Sequence, residues 1–413
     1  MDTFYQSLSK TLPLEFPKVA IHPGTARGDI PRDEPGASRG TERYRRPFGN
    51  MRLNSRIGLT LPAGEWHVSW KCALTDFLEA RYVLDMEGLA IVQGDAQWQL
   101  VSQKEGRTLR LGNNGRSDIA VSPDGASFYY MDANGFVAWH SSDGELEHLC
   151  FARLQEQYRR LLIRREAAHY FVVSLSNGRP PWGPGDLWAV EKISIGDSSR
   201  VDVGKVLLDS DSAGMLIQKK DKLLIPASAE GTTVLATRER LYLMNDDLRI
   251  TRALTGKFDP LALSTDPLKR VYVLVRTENV TALWMVTFEG ERVFSFAIPA
   301  ELQVGAFPPI VGYGHQVYLF AGSRVVAIAP SGALLWEHEL QGGFGGAVVT
   351  AEDQLLVSEG SCVSAFDIKG QRRTLYRLTD ESARTPPVLT STGGLLVATE
   401  RNLYRLTTAG VRN

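Results

Sequence analysis

The eleven residues VLATRERLYLM (234–244) return 162 positions later as LVATERNLYRL (396–406). Each copy divides into a short apolar strand, a tight polar turn and a second strand, the grammar of a β-hairpin. A chain that writes one hairpin twice repeats a supersecondary unit, and such a unit constrains the fold more tightly than composition does.

The hairpin, followed by a turn and a glycine, recurs. RVYVLVRTENVTALWMVTFEG ends at Gly290, QVYLFAGSRVVAIAPSG at Gly332, QLLVSEGSCVSAFDIKG at Gly370 and LLVATERNLYRLTTAG at Gly410, at intervals of 42, 38 and 40 residues. SFYYMDANGFVAWHSSDG ends at Gly144, and weaker copies fall at Gly106, Gly196 and near Asp247, which makes eight markers. A period near ~40 residues with about four strands per unit predicts propeller blades. One four-stranded sheet cannot cover both its faces, whereas a ring of stacked sheets buries each against its neighbours. The expected fold is therefore all-β, a single β-propeller of four-stranded blades. The markers predict eight blades, with seven as the alternative because the strands of 197–232 are hard to register. In an eight-bladed ring the two copies of the opening phrase sit four blades apart, on opposite sides of the axis.

Ring closure leaves its own trace. After its glycine, the copy at 332–340 continues as GALLWEHEL, an outer strand carrying a tryptophan, but the final copy stops at Gly410-Val411-Arg412-Asn413. Gly64-Glu65-Trp66-His67-Val68-Ser69-Trp70 has the missing form near the other end. Residues 65–71 are expected to supply the last blade's outer strand and so remove an exposed sheet edge.

Composition narrows the function classes. The 413 residues carry a formal net charge of −1, so no global field draws the chain to nucleic acid or to a membrane surface. There is no apolar run of about 18 residues and hence no expected transmembrane helix. The start, MDTFYQSLSKTLPLEF, lacks the pattern of a secretory signal. The three cysteines, Cys72, Cys150 and Cys362, stand far apart in no metal-like spacing. A cytoplasmic location is expected. Residues 1–57, rich in Pro, Gly and Arg over 19–57, read as an extended or partly disordered leader, and 58–413 as the propeller.

The copy PPIVGYGHQVYLFAGSRVVAIAPSGALLWEHEL (308–340), with its A-x-x-x-x-G-x-x-x-W pattern, resembles the quinoprotein-type, or pyrroloquinoline-quinone-like, propeller repeat. Gly342-Gly343-Phe344-Gly345-Gly346 resembles the glycine-rich link between such blades. SDIAVSPDGASFYYMDANGFVAW (117–139) looks equally like a WD40-type blade. The resemblance covers 300–413 well and 80–300 loosely. It implies the fold, together with either quinone-dependent dehydrogenase chemistry or a non-enzymatic scaffold. The enzyme branch of the family typically shows a vicinal cysteine pair, calcium-binding carboxylates and long insertions. Here no two cysteines are adjacent and the insertions are short, so no cofactor or metal is expected. The lipoprotein scaffold of the family is matched no further, because the chain has no lipobox cysteine. The non-enzymatic branch is the expected one.

Isolated motifs add little. Gly36-Ala37-Ser38-Arg39-Gly40 matches the nucleophile-elbow pattern but sits in Pro/Gly-rich chain, not between a strand and a helix. Arg27-Gly28-Asp29 spells an integrin tripeptide, and reads as chance in a chain with no secretion signal. None of the seven histidines has a partner at metal-ligand spacing on a helix, and His169 and His315 read as turn residues. GGFGGA lacks the Lys-Ser/Thr that a phosphate loop needs.

Function is expected where the repeat is interrupted. In blade three, RLQEQYRR (153–160) precedes the first strand and SNGRPPWGPGD (176–186) separates the second from the third. Both insertions should emerge on one face and present Tyr158, Arg159, Arg160, Arg179 and Trp182, residue types enriched in binding hot spots. Prolines at 180, 181 and 184 stiffen the second loop. The expected function is a non-enzymatic scaffold that binds partner protein through one face and rim loops. The first alternative is an enzyme or small-ligand binder using the central channel, marked by polar groups converging on its mouth. The second is capture of an anionic partner or nucleic acid by Arg43, Arg45, Arg46, Arg52 and Arg56, with Tyr44 and Phe48 between them.

Overall fold

The computed structural model describes residues 57–409, less short internal stretches of which the longest are 152–158, 179–186, 205–226 and 300–306; for much of 131–255 it describes the strands' backbone alone. Among these residues lie eight four-stranded antiparallel sheets. Blade one spans 82–113, two 120–151, three 159–204, four 227–255, five 259–298, six 310–339 and seven 344–377. Blade eight joins Val388–Leu389, Leu395–Ala398 and Asn402–Thr408 to the N-terminal strand Trp66–Ala73, in that order from the inner to the outer edge. The closing strand is antiparallel to Asn402–Thr408, from Trp66 opposite Thr408 to Ala73 opposite Asn402, as the truncated last repeat predicts. The two copies of the opening phrase form the second and third strands of blades four and eight.

The burial pattern follows from two faces meeting two neighbours. In blade six, Val317–Ala321 is buried at every position, and its side chains alternate in destination. Val317 and Leu319 pack into the core shared with blade five, whereas Tyr318 and Phe320 pack into the core shared with blade seven. The next strand repeats this, Val326 and Ile328 towards blade five and Val325 and Ala327 towards blade seven. Period-two alternation here selects which neighbour is met, not core against solvent, so the middle strands read as continuous apolar runs. Outer strands such as Thr108–Asn113 and Leu334–Glu339 are largely exposed and carry charge, which guards the rim edges. Packed cores run without interruption through blades seven, eight, one and two, and through blades four, five, six and seven.

The marker glycines have a physical role. In the turn between the third and fourth strands, Gly106, Gly332 and Gly370 adopt φ of 64°, 87° and 80°. Each lies beneath a large side chain from the outer strand of the preceding blade: Trp70 over Gly106, Phe294 over Gly332 and Trp336 over Gly370. A Cβ at Gly370 would stand 2.8 Å from the Trp336 ring. The indoles also donate to backbone carbonyls of the same turns, Trp70 Nε1 to Gln103 O at 2.8 Å and Trp336 Nε1 to Ile368 O at 3.1 Å. The glycine and the tryptophan of the A-x-x-x-x-G-x-x-x-W repeat thus belong to two successive docks. Gly332 receives blade five, and Trp336 reaches blade seven.

Replacing Gly370 with Val adds overpacking against Trp336 to the cost of a left-handed backbone, and should destabilise the protein by about 3 kcal/mol. Gly322→Ala, at φ 59° with open space around the added carbon, should cost about 1 kcal/mol. Urea unfolding of the two variants measures the difference.

Candidate functional site

The antiparallel blades give the molecule two faces. The upper face carries the links that enter each innermost strand and the loops between second and third strands. The lower face carries the first-to-second and third-to-fourth turns. Several innermost strands around the axis are largely apolar apart from the buried Asp85 of blade one, whereas that of blade three, Arg159–Glu166, carries four arginines and a glutamate. Tyr82–Met86 is buried from Val83 onward, as are Asp259–Thr265 from Pro260 onward, Ile310–Val311 and Val388–Leu389. Tyr82, the first residue of its strand, packs against the core of blades one and eight and also against the core of blades four and five. It therefore spans the axis between opposite sides of the ring. Phe307 bridges the core of blades four and five and the core of blades six and seven. Its ring is edge-on to Phe344 at 5.1 Å and to Phe320 at 5.9 Å, and those two stack at 4.0 Å. Phe307 and Phe344 stand at the entries of their innermost strands, so these aromatic rings lie at the upper end of the axis.

Polar side chains gather instead on the lower face, at the seams between blades. Asp266, in the first turn of blade five, is fully buried. Its Oδ1 accepts from the backbone N–H of Leu268 at 3.0 Å and of Arg270 at 3.2 Å. Its Oδ2 accepts from Arg270 Nε at 2.7 Å and from Tyr272 Oη at 2.9 Å, and lies 3.5 Å from His315 Nδ1 of blade six. Burial opposes ionisation of this carboxyl, but the hydrogen bonds from His315, Arg270 and Tyr272 and the Arg270 charge outweigh it and hold the pKa at about 2. His315 reaches Asp266 from a left-handed backbone, φ 63°, in the first turn of blade six. Asp353 holds the same turn position in blade seven at φ 60°, and its carboxylate accepts from the N–H groups of Tyr313 and Gly314 in blade six. In these two turns a left-handed residue aims its side chain at the previous blade.

The seam between blades eight and one is built likewise. The buried Arg405 donates to Gln103 O at 3.2 Å and to Thr392 Oγ1 at 3.1 Å. Gln103 Nε2 donates to Asp85 Oδ1 at 2.9 Å, and Gln99 Nε2 donates to Ala73 O at 2.9 Å in the closing strand. On the upper side, Glu381 accepts from Lys71 at 2.8 Å, Tyr404 Oη at 2.7 Å, Asn402 and Thr399. Although burial opposes it, this set of donors holds the Glu381 pKa at about 2. These groups are arranged to join blades. The carboxylate sites of Asp266, Asp353 and Glu381 are occupied by donors from the chain itself, and no group of three or more His, Cys, Asp or Glu able to hold a metal occurs among the described residues.

Of the residues expected to bind a partner, Tyr158, Arg179 and Trp182 lie outside the described residues, as do Arg43, Arg45, Arg46, Arg52 and Arg56. Arg159 and Arg160 open the first strand of blade three, Arg159–Glu166, instead of belonging to the link before it. In that sheet Arg159 stands opposite Ser176 and Gly178 opposite Leu187, so the start of the first strand and the facing ends of the second and third strands share the upper end. His315 is a turn residue as expected, while His169 begins the second strand of its blade, opposite Glu166. Sequence reasoning missed Asp266, Asp353, Gln103 and Arg405. The available signal was faint: Thr265-Asp266 and Thr350-Ala351-Glu352-Asp353 place an acid just after an innermost strand.

No family model matches the chain, and no curated protein matches it. Solved structures are similar to it. The dihydro-heme d1 dehydrogenase NirN is 12% identical, with 84% of this chain and 79% of that one covered at a TM-score of 0.49. The WD40 domain of Neurospora crassa Pan2 is 9% identical over 85% and 98%, TM-score 0.45. A streptogramin B lyase is 12% identical over 70% and 92%, TM-score 0.45. Its eight four-stranded antiparallel sheets make the chain a β-propeller. At these identities the likeness is one of fold and does not extend to chemistry. No helix among the described residues is long and apolar enough to cross a membrane.

The Asp266 carboxylate is depressed below its unfolded value of roughly 4, so its stabilisation is complete above that pH and is lost as pH falls towards about 2. Asp266→Asn leaves Arg270 without its anion and should cost about 3 kcal/mol near neutrality. It should also flatten the stability profile between pH ~4 and ~2, read from urea midpoints at several pH values.

Proposed function

We propose that this propeller is a non-enzymatic scaffold that holds a partner protein on its upper face. The observation that carries the reading is the character of the axis in blades one, five, six and eight, where the innermost strands are largely apolar, together with a tyrosine spanning the ring at Tyr82. A reaction or a polar ligand in a central channel calls for convergent ionisable groups, and the buried polar groups described here serve the seams instead. The strand ends that flank the two interruptions of the repeat, Phe151 and Arg159 at one and Gly178 and Leu187 at the other, also lie on the upper face. Those strand ends lie on the same end of the blades as Phe307 and Phe344. The proline-flanked aromatic and arginine residues that the sequence carries between those strand ends fit protein recognition, in which a few anchors carry most of the affinity.

Affinity purification with the full chain identifies the partner, and the same capture with substituted baits locates its site. Trp182→Ala should weaken binding at least tenfold, as expected of a central anchor worth about 1.4 kcal/mol or more. Leu268→Ser, at an exposed lower-face turn, should leave binding unchanged. The opposite ranking would remove the upper face as the binding surface. An isolated catalytic activity that persists without any partner would overturn the scaffold reading itself.

A further inference from the structure

The residues just before the closing strand make a second fastening at a different radius. In blade seven, the innermost strand Phe344–Val349 continues to Thr350, whose N–H donates to Gln354 O of the neighbouring second strand. Backbone groups of an antiparallel strand alternate in direction, so Val349 and Ala351 turn theirs to the inner edge. There they meet the N-terminal segment. Ile57 N donates to Val349 O at 2.7 Å, and Ala351 N donates to Leu59 O at 3.0 Å. Ile57 is 0% exposed and Leu61 is buried. Both belong to the core of blades seven, eight, one and two, and Leu59 packs against it. The chain then crosses the lower face outward to Trp66, the start of the outermost strand of blade eight. That strand ends with Leu74 N donating to Arg401 O at 2.7 Å, and between its ends Trp70 docks on blade one and Lys71 pairs with Glu381.

We propose that residues 57–61 are a strap, and that strap and closing strand form one cooperative fastener gripping the ring at its inner edge in blade seven and its outer edge in blade eight. The two parts share a core and are joined by only four residues, 62–65. Losing the inner grip frees the chain that must hold the outer strand in register. The seam is thus the place where this ring opens. Opening it bares two strand edges together, the inner edge of blade seven and the edge of Asn402–Thr408, each able to accept an extended chain.

Amide hydrogen exchange on the full-length protein tests the proposal. Ile57→Asp should accelerate exchange of the Ala351 amide and of the amides of Trp66–Ala73 tenfold or more. Thr281–Thr287 in blade five should be unchanged, and Ile57→Val should stay within threefold of the parent throughout. Acceleration of Ala351 alone would show two independent fasteners and overturn the proposal. So would no change at either place, or equal acceleration in every blade. Should Ile57→Asp fail to fold, Ile57→Ala carries the same comparison with a smaller expected shift of about threefold at both places and the same contrary outcomes.

Discussion

A large side chain on the outer strand of one blade, seated on a left-handed glycine in the next, sets the spacing of the ring. The seat exists because glycine lacks a Cβ: at Gly106, Gly332 and Gly370 an added carbon would lie within 3 Å of the docked ring. Glycine also enters φ near 60–90° without the penalty that an L side chain incurs there. Two requirements therefore meet at one residue, a tight turn between strands and an aromatic plate against it. The indole N–H, which would be costly to bury unpaired, is satisfied by a carbonyl of the same turn at Trp70 and Trp336. Trp70 uses this device from the N-terminal strand. The closing segment therefore docks on blade one as Trp336 docks on blade seven.

The lower face adds polar joints to this apolar stacking. Asp266 with His315, Asp353 with the N–H groups of Tyr313 and Gly314, and Gln103 with Arg405 each cross a seam. Packing between sheets tolerates sliding, whereas hydrogen bonds to a buried carboxylate fix one relative position. Such joints hold much of the buried charge, while Glu359, equally buried, pairs with Arg372 inside blade seven.

The two copies of the repeated phrase show how far the hairpin pattern is legible. Their Tyr242 and Tyr404 are equivalent and buried, and both copies are second and third strands of their blades. They differ at Leu243 against Arg405, and both of these are buried as well. Nothing local distinguishes the two positions. Arg405 is accommodated because the seam beside it brings Gln103 O, from a residue 302 positions away, to its guanidinium. The insertions of blade three were legible as breaks in a period. The seam residues were not, because each is an ordinary turn acid or amide until its neighbour is in place.

The sequence by itself determined the all-β class, the repeat near ~40 residues, the blade hairpins and the N-terminal strand that completes the last blade. Those are local or periodic facts: strand alternation, turn glycines and a missing outer strand are written within a few tens of residues. Tertiary structure alone decided which buried polar groups face one another, that Tyr82 spans the axis, and that Ile57 and Leu59 grip blade seven. These contacts include pairs 40 and 302 positions apart. A single chain carries no record of such proximity, because the free energy that selects it belongs to the closed ring and not to any segment.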